Sequence, residues 1–545
     1  MAFIIGGLDD QLILLVWANV SKLFFAFNNK AFYDFFLYKE VFWPLLKPFE
    51  TNEPILWLVM SLCLSIFGIN FYNFFLLFTL AAAFTASFYL FKEYKFGLLY
   101  SVVFTFSSYT WSHLGIHLGL SQIWLLPVFY KIFLDALKLK SFQIKKFFIS
   151  GVILALIALT ANYLAFFILL SLFAGVVLIV ILPSKIKLFP VSLLVKGTMV
   201  TFVVFVSISI ATLYPFIKAN YFDPALNGPK AQMMVIDRPL SDFFTFSTRP
   251  WYFFIPPPSN PILGGLGQRM ISTIKSTNYF LADDYFEGEH AASFYGYSLY
   301  ILFGTLFITL VKKKKVPKES IFWLLQALVL FLIALPPFIS LNGIKIYTPG
   351  FLLFKFFPMF RVSTRLGIFI LFFCILALAE LIKVYYPLVV RKRLFVFCVF
   401  TAFIVSIIEV FVPVKIFKYE DPPDVYVYLK AKTDGSTFVV FPYSKTKEAL
   451  FWLPVHQKFL LNPRGAFFKN FYSETFTKAL NTNEGIFKLK DYNVRYLIVF
   501  KNSKEADLKE ILTHPLLQLE AEFEDSYLLL VGEDTIYSHA EVRSY

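Results

Sequence analysis

The chain has 545 residues, 58% of them hydrophobic and 16% charged, with a formal net charge of +14. Soluble domains carry about 25% charged residues, so this composition excludes an all-aqueous protein and predicts a polytopic integral membrane protein. The basic excess lies in short loops between apolar runs, which is the signature of membrane topology and excludes a nucleic-acid partner.

Residues 1–71 read as an outer-face loop with interfacial helices. Asp9 and Asp10 follow Gly6-Gly7 and precede an apolar stretch. One of them caps a helix well; alternatively the pair is a general base or a metal ligand at the membrane face. The stretch 54–70 is apolar, yet counting it as a span would invert every later loop, so it reads as an interfacial helix. The topology places this segment outside with no preceding span, so either Leu12–Phe27 is buried in another way or a first helix is missing.

Ten spans follow, at 72–92, 96–111, 120–137, 147–162, 164–182, 190–217, 293–311, 320–340, 363–384 and 393–413, as runs long enough to cross a hydrocarbon core about 30 Å thick. They group as membrane helices over 72–217 and 293–415. The loops 91–95, 138–146, 183–189, 312–318 and 383–393 hold 17 lysines and arginines against one acid, Glu93. Short-loop bias of this kind puts them in the cytoplasm. This puts 218–292, 341–362 and the C-terminal segment on the outer side. Cys63, Cys374 and Cys398 lie in apolar segments and read as packing residues.

The polar candidates gather at the outer mouth. His113 and His117 are four apart, so on a helical turn they share a face and suit either a metal or a substrate; interfacial side chains are the plainer reading. The long loop 218–292 mixes aromatics with Asp242, Arg249, Asp283, Asp284, Glu287 and Glu289, which suits sugar binding or an interfacial belt equally. Arg361 and Arg365 open a span and share a helical face; they suit a lipid phosphate or headgroup snorkelling. From 420 to 545 charged residues return, with β patterns at 437–442, 495–500 and 526–531 and a helical pattern at 503–514. These predict a soluble α/β domain on the extracytoplasmic side.

The order of these features resembles the GT-C superfamily of polytopic glycosyltransferases, in particular its bacterial YfhO-like members. The matching pieces are Gly-x-Asp-Asp at 7–10, HLGIH and QIWLLP at 113–127, ANYLAFF at 161–167, the SDFF…PPPSNP loop, EHAASFYGY, FRVSTR and the soluble tail. The resemblance implies a helical membrane bundle and inverting transfer of a sugar from a polyprenyl-phosphate donor to an envelope glycan, lipid or protein acceptor. It implies Asp9 or Asp10 as base and Arg361 or Arg365 on the donor phosphate, with His113 and His117 lining the same cavity. A divalent metal on Asp9, Asp10, His113 and His117 is the open alternative. A flippase for lipid-linked saccharide would place charge at mid-membrane depth, where these spans are poor in it. A non-catalytic envelope assembly protein is the other reading.

Overall fold

The computed structural model describes residues 2–5, single positions between 53 and 67, 70–114, 117–139, 141–183, 186, 188–217, 239–276, 285–341, 344–414, 416–419, 421–432, 437–456, 458–460, 462, 483–491, 494–501 and 511–532. The chain divides into two compact units. One is the helical unit of Phe74–Ala211 and Ile236–Lys415; the other comprises Met1–Asn73, Thr212–Val235 and Ile416–Tyr545.

The helices run α1 (Asn70–Phe91), α2 (Gly97–Thr105), α3 (Ser108–His113), α4 (Leu118–Ser121), α5 (Leu125–Leu137), α6 (Ile144–Ala158), α7 (Asn162–Ile181) and α8 (Val191–Ile217), the ends of α1 and α8 reaching into the other unit. After a gap they continue with α9 (Leu240–Thr245), α10 (Gly264–Ser276), α11 (Glu287–His290), α12 (Tyr297–Lys312), α13 (Lys318–Ala334), α14 (Gly350–Phe356), α15 (Gly367–Tyr385) and α16 (Lys392–Val410). Among the described residues six helices are long and apolar enough to cross a membrane: Phe71–Phe91, Asn162–Ile181, Val191–Ile210, Glu287–Lys312, Ser363–Leu388 and Lys392–Val410. The protein is an integral membrane protein of mainly helical fold.

The other four expected spans also fall on helices, but shorter ones. They are α2 with 9 residues, broken from α3 at Phe106-Ser107, and α5, α6 and α13 with 13, 15 and 17 residues. The expected span 320–340 overruns because Pro336 and Pro337 cannot continue a helix; Phe338–Leu341 instead pairs antiparallel with Ile344–Tyr347.

At the centre stands α15. Nearly every residue from Gly367 to Ile382 is buried, as expected of a helix apolar on all sides. Phe372 lies against Phe91, Phe104 and Tyr130, with ring centroids 6.3, 5.9 and 5.0 Å away. Trp323 of α13 stacks on Phe373 at 5.7 Å, and Ser320 Oγ donates to the Ala377 carbonyl at 3.1 Å. The outer helices α8 and α16 expose Phe202, Val203, Phe397 and Phe400, the apolar skin that lipid would solvate.

The other unit carries a five-stranded mixed sheet, β1 (Thr437–Phe441), β2 (Phe459–Leu460), β3 (Val494–Phe500), β4 (Leu517–Glu522) and β5 (Ser526–Val531), in the order β2-β1-β3-β5-β4. β1 runs parallel to β2 and β3, whereas β5 is antiparallel to β3 and β4. Period-two alternation sends Phe438 and Val440 to one face, with the helix Asp424–Ala431. It sends Val439 and Phe441 to the other, with the helix Asn483–Asp491. The expected α/β architecture is therefore present, with the strands expected at 437–442, 495–500 and 526–531. Most of the helical pattern at 503–514 lies outside the described residues, and β2 and β4 are additional strands. Ala2–Ile5 pairs antiparallel with Ile416–Tyr419 in the same unit.

Candidate functional site

Four segments of the helical unit meet where Glu289 and Arg365 pair. Arg365 stands in the 3-10 turn Ser363–Leu366, immediately ahead of α15. The turn is held from two sides: Ser363 Oγ donates to the Ala334 carbonyl at 2.9 Å, and the Thr364 amide donates to the Phe246 carbonyl at 3.1 Å. Gly367 follows because the backbone passes close to Ala292; a Cβ there would lie 2.8 Å from the Ala292 carbonyl oxygen.

Glu289 stands on α11, which is anchored by His290. The Phe286 amide donates to His290 Nδ1 at 2.9 Å, so Nε2 carries the proton and donates to the Thr245 carbonyl at 2.8 Å. His113 ends α3, a short helix capped by Ser107 and tied to the next segment by Ser108 Oγ donating to the Phe294 carbonyl at 2.5 Å.

Arg365 Nε lies 3.2 and 3.1 Å from the two Glu289 carboxylate oxygens, and Nη2 donates to Oε1 at 2.5 Å. Their side chains are only 9% and 11% exposed, so the pair is nearly dry. His113, fully buried, places Nε2 at 3.3 Å from Glu289 Oε2 and Nδ1 at 2.8 Å from the Tyr109 carbonyl. Both ring nitrogens thus face oxygen acceptors. His117 Nε2 accepts from Arg365 Nη2 at 3.4 Å; with 26% of its side chain exposed it is the open member of the group. The Tyr163 ring supports the guanidinium at 4.6 Å, and the Tyr109 ring stacks on His113 at 4.1 Å.

Two donor sets remain unused. The hydrogen bonds of Arg365 run from Nε and Nη2, leaving Nη1 without a protein acceptor among the described residues. The buried hydroxyls of Tyr109, Ser112, Ser293 and Thr364, all on the segments that build the group, likewise have no protein partner among the described residues. Buried hydroxyls are ordinarily satisfied.

The remaining sequence candidates go elsewhere. Arg361 and Arg365 do not share a helical face, because Pro358 introduces irregular 3-10 backbone there. Arg361 ion-pairs with Asp242 and lies over the Phe246 ring at 5.2 Å. Arg249 is buried and donates to the Ser247 and Phe244 carbonyls, a structural use of the side chain. Glu287 accepts from the Ser259 amide at 2.7 Å. Nor do the two histidines lie on one helix: His113 ends α3 and His117 is extended, yet their rings remain 6.1 Å apart. Asp9, Asp10, Asp283 and Asp284 lie outside the described residues. Tyr109 and Tyr163 were not singled out by sequence; the only signal for Tyr163 was the motif ANYLAFF.

Among the described residues no group of three or more His, Cys, Asp or Glu side chains is placed to hold a metal. The acid between the two histidines is already bonded to a guanidinium, so a divalent cation at Glu289 would face a fixed positive charge.

No protein-family model and no curated protein matches this sequence. Solved structures do resemble it. The apo oligosaccharyltransferase of Archaeoglobus fulgidus superposes with a TM-score of 0.51 at 12% identity, over 90% of this chain and 66% of that one. The archaeal oligosaccharyltransferase AglB from the same organism, in complex with an inhibitory peptide and a dolichol-phosphate, gives 0.50 at 13%, over 91% and 66%. A form tethered to an acceptor peptide containing the NVT sequon gives 0.50 at 13%, over 91% and 65%. The chain therefore spans about two thirds of the length of the structures it matches.

Proposed function

The chain has the GT-C fold, and on that premise we propose that it is a membrane glycosyltransferase of YfhO-like type. It moves a sugar from a polyprenyl-phosphate donor to an envelope glycan, lipid or protein acceptor at the outer face. The observation that carries this reading is the unused Nη1 of Arg365 in a nearly dry polar group. A guanidinium fixed on one edge by Glu289 presents its other edge to a phosphate.

In this mechanism Asp9 or Asp10 takes the proton of the acceptor hydroxyl as its oxygen attacks the anomeric carbon. The bond to the donor phosphate breaks on the opposite side, inverting the centre. Charge grows on the departing lipid phosphate, and the preorganised Arg365 meets it there without reorganising. Glu289 positions Arg365, while His117, the open member of the group, binds the sugar. The dolichol-phosphate complex of the similar archaeal enzyme supports a lipid-linked donor.

Mass spectrometry of lipid-linked sugars and envelope glycans, with and without the gene, tests the activity and names the acceptor. With purified protein and a polyprenyl-phosphate sugar, replacing Asp9 and Asp10 together by Asn abolishes transfer. Undiminished transfer in that double variant rejects the base. Movement of the lipid-linked sugar across liposomes with no new glycosidic bond rejects the enzyme.

A further inference from the structure

At three inter-helix links of the helical unit, lysines converge on one pair of tyrosines. Tyr385 ends α15 and Tyr386 follows it. Lys95, from the link between α1 and α2, holds its Nζ 3.3 Å from the Tyr386 ring centroid. Lys392, the first residue of α16, holds its Nζ 5.7 Å from the same centroid. Lys313, from the link between α12 and α13, lies 5.8 Å from the Tyr385 ring. The Lys95 and Lys392 ammonium groups are therefore within about 9 Å of each other, inside or near one Debye length at physiological salt.

All three lysines are exposed, and none meets a carboxylate among the described residues. Of the nearby acids, Glu380 is engaged with Tyr94 and Lys383, and Glu93 with Lys131 and Lys138; Glu319, close enough to act on Tyr94, makes no ion pair with the three lysines among the described residues. The aromatic faces hold the cations in place, but a ring quadrupole does not neutralise them. Beside the lysines the surface turns apolar: Val390 is 96% exposed, and Phe397 and Leu394 of α16 are exposed too. An anion that also carries hydrocarbon satisfies both halves of this surface.

We propose that Lys95, Lys313 and Lys392, set around Tyr385 and Tyr386, form a binding site for the phosphate headgroup of an anionic phospholipid, whose acyl chains lie along α16. Basic pockets between membrane helices recognise headgroups in this way. The site is independent of the transfer reaction proposed above.

The test uses the full-length protein in detergent, titrated with short-chain phosphatidylglycerol, short-chain phosphatidylcholine and inorganic phosphate, and read by native mass spectrometry. Phosphatidylglycerol binds saturably, and the other two do not. Replacing Lys95, Lys313 and Lys392 together by Gln weakens phosphatidylglycerol binding by about tenfold or more. The control variant Lys145→Gln/Lys146→Gln/Lys196→Gln leaves it unchanged. Equal loss in the control variant overturns the site in favour of diffuse charge attraction. Inorganic phosphate binding as tightly as the lipid overturns the lipid assignment. Should the triple variant aggregate, Lys95→Gln alone must still weaken binding, and Lys95→Arg must restore it.

Discussion

Glu289 and Arg365, 76 positions apart in the chain, join through Nε to both carboxylate oxygens at 3.1 and 3.2 Å. Neither partner is accessible enough for water to replace the other. Removing one member of such a buried pair leaves a charge with no counter-charge, which typically costs about 3–5 kcal/mol. Glu289→Ala is therefore expected to lower the thermal unfolding midpoint in detergent strongly. Glu289→Ala combined with Arg365→Met should recover most of the loss. A double variant no more stable than the single one would show that the pair is not the source of the effect.

The two histidines should separate under mutation. His113 is fully buried with both nitrogens bonded, so His113→Ala costs about 1–3 kcal/mol and is seen in stability. His117 is partly exposed and its bond to Arg365 is long. His117→Ala is expected to change stability by less than about 0.5 kcal/mol while reducing sugar transfer. Melting curves and single-turnover assays on the same preparations check both halves.

Asn260 ties the SNP turn to the end of α16. Its Nδ2 donates to the Ile408, Glu409 and Phe411 carbonyls at 2.9, 3.0 and 2.9 Å, and its Oδ1 accepts from the Ile262 and Leu263 amides at 2.9 and 2.8 Å. Asn260→Ala leaves terminal carbonyls of α16 unsatisfied, at a cost of about 2 kcal/mol. Asn260→Asp keeps the acceptor but faces three carbonyls with a carboxylate, and should be worse. Hydrogen exchange at the end of α16 should rise in both.

One buried histidine of the sheet-bearing unit, His456, makes stability fall in acid. His456 is buried against Phe438 and Tyr426. It donates from Nε2 to the Ala449 carbonyl and accepts at Nδ1 from the Lys458 amide. Burial, aided by the Lys458 charge, pushes its pKa down from 6.5 to about 4. The unfolded chain takes up a proton that the folded form refuses. Stability is therefore full above pH 6.5 and declines as pH falls toward 4, by up to about 3 kcal/mol. Denaturant titrations followed by Trp452 fluorescence should show this slope in the parent protein and not in His456→Phe.

The sequence was most legible where the physics is local. Apolar runs of helical length became helices, and period-two alternation at 437–442, 495–500 and 526–531 became strands, because each pattern is read within one element. A boundary shifted where proline intervened, at Pro336, and Pro358 broke the helical face expected for Arg361 and Arg365. The site was only half legible. His113, His117, Glu289 and Arg365 were each recognisable as polar residues beside apolar spans. That Arg365 would take Glu289 while Arg361 takes Asp242 depends on how distant segments pack, and no periodicity encodes that choice. Tyr163 was passed over for the same reason: an aromatic in an aromatic-rich chain carries no signal until its ring lies beneath a guanidinium.

The placement of Arg365 at the head of α15 has a mechanical meaning. A helix enclosed on every side cannot tilt or slide unless its neighbours move with it, because close-packed interiors deform little. Outer helices such as α8 and α16, by contrast, have a free flank. Arg365 is thus planted at the head of the most enclosed helix of the bundle, where a lateral opening is expected to displace it least. A spin label at α16 paired with one on α15 should report such excursions as motion of the rim about a fixed hub.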